Sequence, residues 1–148
     1  MTVTSLLQVR DLSKAFGGVQ ALNLVNFDLE QGELLGVIGP NGSGKTTLVN
    51  LITGFVKCSR GTVNYKGRDI TRWAPHRIVC LGIARTFQMV RPFYQLPAYK
   101  NMIIPLYSPR VKKLAGGRYG SRDAVALDLL EEVGFERDSH VAYKVASV

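Results

Sequence analysis

A short apolar run, LLGVI at residues 34–38, leads without interruption into the octapeptide GPNGSGKT at residues 39–46. Helical spacing then begins at Lys45, with Leu48, Leu51 and Ile52 on one stripe and Gly54 placed to end it. An apolar run without polar alternation reads as a strand covered on both faces, the pattern of a central strand in a parallel sheet. Strand, glycine-rich loop and helix in direct succession therefore predict an α/β fold.

The octapeptide fits G-x-x-x-x-G-K-[ST], a pattern whose chance occurrence in a chain of 148 residues is on the order of a per cent or less. A phosphate chain is a dense anion, and backbone N–H groups surround it only where the loop turns tightly with few Cβ atoms in the way, which Gly39, Gly42 and Gly44 allow. Pro40, Asn41 and Ser43 complete that loop, and the helix beginning at Lys45 aims its N-terminus at the same point, with the equivalent of roughly half a positive charge and several unpaired N–H donors. Lys45 is placed to reach the β- and γ-phosphates of a nucleotide, the Thr46 hydroxyl is suited to Mg²⁺, and Thr47 is within reach of the α-phosphate. Taken alone, the glycine cluster is also compatible with a plain flexible turn; its flanks and the Lys-Thr pair favour the phosphate reading.

Residues 6–11 (LLQVRD) and 24–30 (LVNFDLE) read as strands, with a turn at Gln31 and Gly32. A turn at residues 59–61 precedes a predicted strand at 62–66, a proline-initiated helix spans 75–81, and residues 83–87 return to strand character. Pro97 can open a helix through Met102 and Ile103 that Pro105 ends or kinks. Residues 108–120, rich in glycine and cations, are expected to form a mobile surface loop. Ser121 reads as the N-cap of a helix that places Ala126, Leu127, Leu130 and Val133 on one face and closes at Gly134 and Phe135.

A hydrophobic fraction of 46% in 148 residues suffices for one core, hence one domain or part of one. No stretch approaches the roughly 20 apolar residues of a membrane span, and the first residues lack a secretory pattern, so a cytosolic chain is expected. Cys58 and Cys80 lack metal or redox spacing and are expected to be free thiols. The net charge of +8 gathers between residues 110 and 122 and around Arg68, Arg72 and Arg77. Phosphate ligands and a solvated basic surface explain that excess; nucleic-acid binding ranks below them for want of an aromatic-basic recognition element in the sequence.

GPNGSGKTT within ELLGVIGPNGSGKTTLVNLITGF resembles the Walker A region of ATP-binding-cassette (ABC) transporter ATPases. That resemblance assigns Phe16, in LSKAFGGVQAL, to the aromatic loop that stacks on adenine, and Val19 to the ribose side; without it Phe16 is an ordinary packing residue. It assigns Gln88, at the end of IARTFQ, to the glutamine loop that senses Mg²⁺ and the attacking water, where the alternative is a plain polar loop residue. Lys45 and Gln88 are then the catalytic residues of this stretch, and Thr46 and Gln88 its metal ligands. The implied architecture is a P-loop NTPase core with an antiparallel β subdomain at the N-terminus, over residues 1–88, followed by the start of a helical subdomain over 89–148.

FGGVQAL, LITGF and RTFQMVRPF look most similar to branched-chain amino acid uptake ATPases, with urea and lipopolysaccharide systems as alternatives. The resemblance implies ATP and Mg²⁺ as cofactors. As partners it implies permease subunits, a second cassette and, indirectly, a substrate-binding protein, with no nucleic acid. It implies a cytoplasmic location, peripheral on the inner face of the membrane. It spans essentially all 148 residues but only the first part of a cassette: the signature motif, the Walker B carboxylates and the switch histidine find no match, and neither His76 nor His140 has the right context. Residues 97–101, PAYKN, depart from the family's Thr-Val-x-Glu-Asn pattern, which bears on the coupling surface. Slow or absent hydrolysis by this stretch alone is expected, and a non-catalytic nucleotide-binding docking module is the competing reading. The absence of Asn-Lys-x-Asp argues against GTP.

Overall fold

A computed structural model describes residues 5–89, 91–107 and 121–136. The chain forms two compact units, Met1–Thr86 and Phe87–Val148, each described here by itself. The loop expected at 108–120 and His140 lie outside the described residues.

The first unit is built on a four-stranded antiparallel sheet of β1 (Leu7–Phe16), β2 (Val19–Leu29), β3 (Arg60–Tyr65) and β4 (Arg68–Asp69), in the order β2-β1-β3-β4. Leu7 and Val9 face the core, and a strict period of two would then bury Asp11. Instead Asp11 adopts a positive φ of 49° and the pairing register slips, so that Leu12 takes the next core position. The bulge is pinned from the neighbouring strand: the Asp11 N–H donates to Asn26 Oδ1 at 2.9 Å, and Asn26 Nδ2 donates to Asp11 Oδ1 at 3.2 Å. On β2, Leu24 also has a positive φ, and its N–H donates to the buried Ser13 Oγ at 2.9 Å, while that hydroxyl donates to the Asp11 carbonyl at 3.1 Å. Sequence reading ends one strand at Asp11 and starts the next at Leu24 because those two residues are the bulges; the hairpin continues through both.

β3 approaches β1 closely at this point. A Cβ on Gly61 (φ 92°) would stand 2.5 Å from the carbonyl oxygens of Arg10 and Asp11, which leaves glycine as the residue that fits. Arg60 and Gly61 are thus ladder residues and not the turn expected at 59–61. The sheet's inner face meets α1 (Lys45–Ile52) through Leu48 and Leu51, in one cluster with Leu7, Val9, Leu12, Leu22, Val63 and Ile70. Fully burying side chains such as Val9, Leu12, Val63 and Ile70 stabilises by about 1.5–3 kcal/mol each. β4 is held near this core by Thr71, whose Oγ1 accepts from the Val63 N–H at 2.9 Å. The Asp69 carboxylate accepts from both the N–H and the hydroxyl of Thr71, bonds that hold its pKa below the usual carboxylate range. α2 (Pro75–Leu81) starts at its proline as expected and buries Ile78.

Residues 33–40 are not the expected central strand. They run without a ladder partner among the described residues, and Leu34 and Ile38 are 97% and 95% exposed. A parallel strand exists only through neighbours far away in sequence, and the strands of the described sheet are all antiparallel partners of one another. Residues 83–87, also expected to be a strand, are not in one, although Ile83 packs against the core cluster.

In the second unit α3 (Ala98–Ile103) continues as a 3₁₀ turn (Ile104–Tyr107) at Pro105, which cannot supply the next helical N–H. It packs on α4 (Arg122–Glu132) around Ile103, Ala126 and Leu130. Ser121 Oγ accepts from the Ala124 N–H at 3.2 Å, a side-chain N-cap. The other end closes with Phe135 N–H to Leu130 O and Gly134 N–H to Glu131 O, both 2.9 Å, a Schellman motif. Val133, expected on the face of Ala126 and Leu130, is 66% exposed because the helix stops before it. Lys100 pairs with Asp123 at 3.2 Å, which raises the lysine's pKa.

Asn101 organises the turn before α3. Its Oδ1 accepts from the Phe93 N–H at 2.7 Å, and its Nδ2 lies within 3.1–3.2 Å of the carbonyls of Phe93, Leu96 and Pro97. Asn101→Ala is expected to loosen this turn by about 1 kcal/mol, read as faster hydrogen exchange at the Phe93 amide; unchanged protection would contradict the assigned role.

Candidate functional site

The glycine loop enters α1 through a left-handed residue. Gly44, the N-cap, has φ 91° and ψ 1°, and a Cβ there would stand 2.5 Å from the Ala21 carbonyl oxygen and 2.9 Å from Leu22 Cδ2. Glycine is required twice over, by conformation and by contact with β2. Gly44 O accepts the first helical bond, from the Leu48 N–H at 2.8 Å, and the loop closes on itself with Ser43 N–H to Pro40 O at 3.2 Å.

No side chain caps α1, and the amides of Lys45, Thr46 and Thr47 find no acceptor among the described residues. These are the orphan donors of a helix start, grouped at an exposed loop. Lys45 folds back inside the loop: Nζ donates to the carbonyls of Gly39 and Pro40, each at 2.7 Å, and lies 3.4 Å from Ser43 Oγ. One full positive charge and a row of amides thus converge on residues 39–47. An oxyanion is the ligand this arrangement complements. Thr46 is exposed at the head of the helix, so its hydroxyl is available as a hard oxygen ligand.

Phe16 and Val19 flank the tip of the β1–β2 hairpin, paired across Gly17 and Gly18. Both are exposed, at 47% and 70%, and Lys14 Nζ sits 4.9 Å from the Phe16 ring centroid. The ring is therefore no core residue. Val19 precedes by two residues the Ala21 carbonyl that abuts Gly44, about 7 Å along a strand, so the same β2 segment supports the phosphate loop and carries the hairpin tip. The Ala21–Gly44 contact is not legible in any motif, since it is made by the backbone of residues distant in sequence. Nor is the hydrogen bond from Arg85 to Asn50 Oδ1, which ties residue 85 to α1 across 35 positions, with Arg85 also 5.3 Å above the Phe55 ring.

Gln88 stands in the second unit, exposed at a bend, in a concave patch with Phe87, Met89 and Arg91. Phe16, Val19 and residues 39–47 belong to the first unit, where the described contact between hairpin and loop is that of Gly44 with Ala21 and Leu22; Gln88 is not part of that unit. Among the described residues no three His, Cys, Asp or Glu side chains are grouped to hold a metal, and no helix is long and apolar enough to cross a membrane.

The sequence profile of the ABC transporter family matches residues 22–147. The chain is 44% identical over 116 residues to a probable branched-chain amino acid transport ATP-binding protein, LivG, of Archaeoglobus fulgidus, covering 77% of this chain and 45% of that one. It is 39% identical over 99 residues to the high-affinity branched-chain amino acid transport ATP-binding protein BraF of Pseudomonas aeruginosa, covering 67% and 39%. The chain thus spans less than half the length of these relatives. A solved ATP-binding cassette of an ABC transporter, MJ1267 in its ADP conformation, superimposes with a TM-score of 0.69 at 33% identity over 96% of this chain and 57% of that one. The dimeric cassette MJ0796, at 24% identity and a TM-score of 0.70, shares the fold over 95% of this chain and 61% of its own. The architecture is the α/β, P-loop NTPase type with an antiparallel β subdomain at its N-terminus and the start of a helical subdomain, and the chain belongs to the ABC transporter family.

Proposed function

We propose that residues 39–47, with Phe16 and Val19, bind ATP as part of an ABC importer subunit that couples nucleotide binding and hydrolysis to uptake of branched-chain amino acids or related substrates. The observation that carries the reading is the uncapped start of α1 behind the left-handed Gly44, with Lys45 Nζ inside the loop. The amides bind phosphate oxygens. The Lys45 ammonium exchanges the Gly39 and Pro40 carbonyls for the β- and γ-phosphates and offsets charge that develops as the γ-phosphoryl group leaves. Thr46, with Gln88, would supply oxygen ligands to Mg²⁺ beside those of the phosphates and water. Phe16 stacks on the adenine and Val19 lies beside the ribose.

Gln88 is proposed to contact the metal and the attacking water. The exposed Met89, Phe93 and Tyr94 offer an apolar surface to a permease subunit. The substrate class rests on the names of the relatives at 44% and 39% identity. A second cassette, facing this one, would complete each nucleotide site, and a substrate-binding protein would act through the permease. The 148 residues contain no matched signature or Walker B segment, so by themselves they should hold nucleotide without turning it over at the pace of an intact cassette.

Lys45→Ala is expected to remove charge-assisted hydrogen bonds of about 1.5–3 kcal/mol, weakening ATP binding by roughly 10- to 100-fold in an equilibrium titration; unaltered affinity would contradict the proposal. Phe16→Ala should weaken ATP by a stacking contribution of about 1–3 kcal/mol, with Phe16→Tyr near wild type. Tripolyphosphate, which has no base, should bind the wild type and Phe16→Ala equally. Equal losses for ATP and tripolyphosphate would show that Phe16 acts on the loop and not on adenine.

A further inference from the structure

Residues 57–77 hold six cations, Lys57, Arg60, Lys66, Arg68, Arg72 and Arg77, against one acid, Asp69. This stretch of 21 residues therefore carries five of the chain's eight net positive charges. All six cations are exposed. The two ion pairs among the described residues, Arg10 with Asp28 and Lys100 with Asp123, involve none of them. Asp69 accepts two hydrogen bonds from Thr71 and feels Arg72 more weakly, which leaves the other five cations without a carboxylate among the described ion pairs.

The fold turns this run into a cluster. The β3–β4 turn and the start of α2 bring the guanidinium groups of Arg68 and Arg77 to 5.7 and 4.7 Å from the Trp73 ring centroid. Lys57 Nζ reaches the same place from the other side of β3 in sequence, donating to the carbonyls of Arg72 and Trp73 at 2.8 and 3.0 Å. Like charges so gathered raise one another's free energy unless an anion lies against them.

We propose that this cluster around Trp73 is a docking surface for the anionic headgroups of a lipid bilayer. A bilayer asks only for several exposed cations close together and an amphipathic aromatic among them, and Lys57, Arg68 and Arg77 about the half-buried Trp73 supply both. These cations are exposed, so a surface of headgroups can engage several of them together. Single-stranded nucleic acid fits less well, because base stacking needs an open ring face and the indole is flanked by two guanidinium groups, whereas attraction to headgroups rests on the charges themselves. The inference is independent of any permease, since the lipid itself is the partner.

Trp73 is the single tryptophan of the chain, so the full chain reports its own docking by energy transfer to dansyl-labelled lipid. Transfer is expected with vesicles of phosphatidylcholine and phosphatidylglycerol, not with phosphatidylcholine alone, and should fall as salt rises. At about 1 kcal/mol per cation, R68Q/R72Q/R77Q should lose roughly a hundredfold in partition. R68K/R72K/R77K should keep it, because lipid attraction reads point charge. R110Q/K112Q/K113Q removes the same number of charges elsewhere in the sequence and should lose far less. Retained ATP binding by the first variant checks its folding, and if that variant misfolds, the salt and lipid dependence of the wild type still decides. No transfer to anionic vesicles, equal losses in both glutamine variants, or displacement of the protein from vesicles by an oligonucleotide at matched charge would overturn the proposal.

Discussion

A single left-handed residue, Gly44, sets the direction of everything that follows it. Its conformation lets the chain leave the loop and start α1 at once, and its missing side chain lets the loop rest on the Ala21 carbonyl of β2. Any Cβ at this point would push α1 away from the sheet and carry the amides of Lys45, Thr46 and Thr47 with it. Orientation of those donors is what converts an ordinary helix start into a place where a phosphate chain is favoured.

The antiparallel sheet serves that arrangement at its other end. The paired bulges at Asp11 and Leu24, bridged by Ser13 and Asn26, allow β1 and β2 to stay hydrogen-bonded through a change of register. The hairpin therefore extends far enough to present Phe16 and Val19 in solvent while its middle still packs on the core. Leu12 and Leu22 are buried beside these bulges, while Phe16 and Val19 at the tip are exposed.

What could be read from residues alone follows the range of the interactions involved. The loop at 39–46, the Pro75 start of α2 and the Ser121 and Gly134 ends of α4 are encoded by residues within a few positions of one another, and each is found where local chemistry places it. Strand limits were misplaced at Asp11 and Leu24 because alternation cannot see a bulge held from across the ladder. The apolar run at 34–38 was read as a strand although its hydrogen bonds would have to come from distant segments, which the described residues do not supply. Likewise the cations around Trp73 look like a scattered basic surface in the sequence; only the close return of α2 and Lys57 onto one ring shows them as a group. The family itself was legible because its loop chemistry is compact and lies within the stretch this chain shares with its longer relatives.

The central claim is that main-chain amides from Gly42 to Thr47 hold the phosphates. Its most direct test follows the ¹H and ¹⁵N resonances of those amides while Mg-ATP is added. Large downfield movement concentrated at Gly44, Lys45 and Thr46, reproduced by tripolyphosphate, is the predicted result. Saturable nucleotide binding that leaves these amides in place and shifts residues elsewhere would contradict the account.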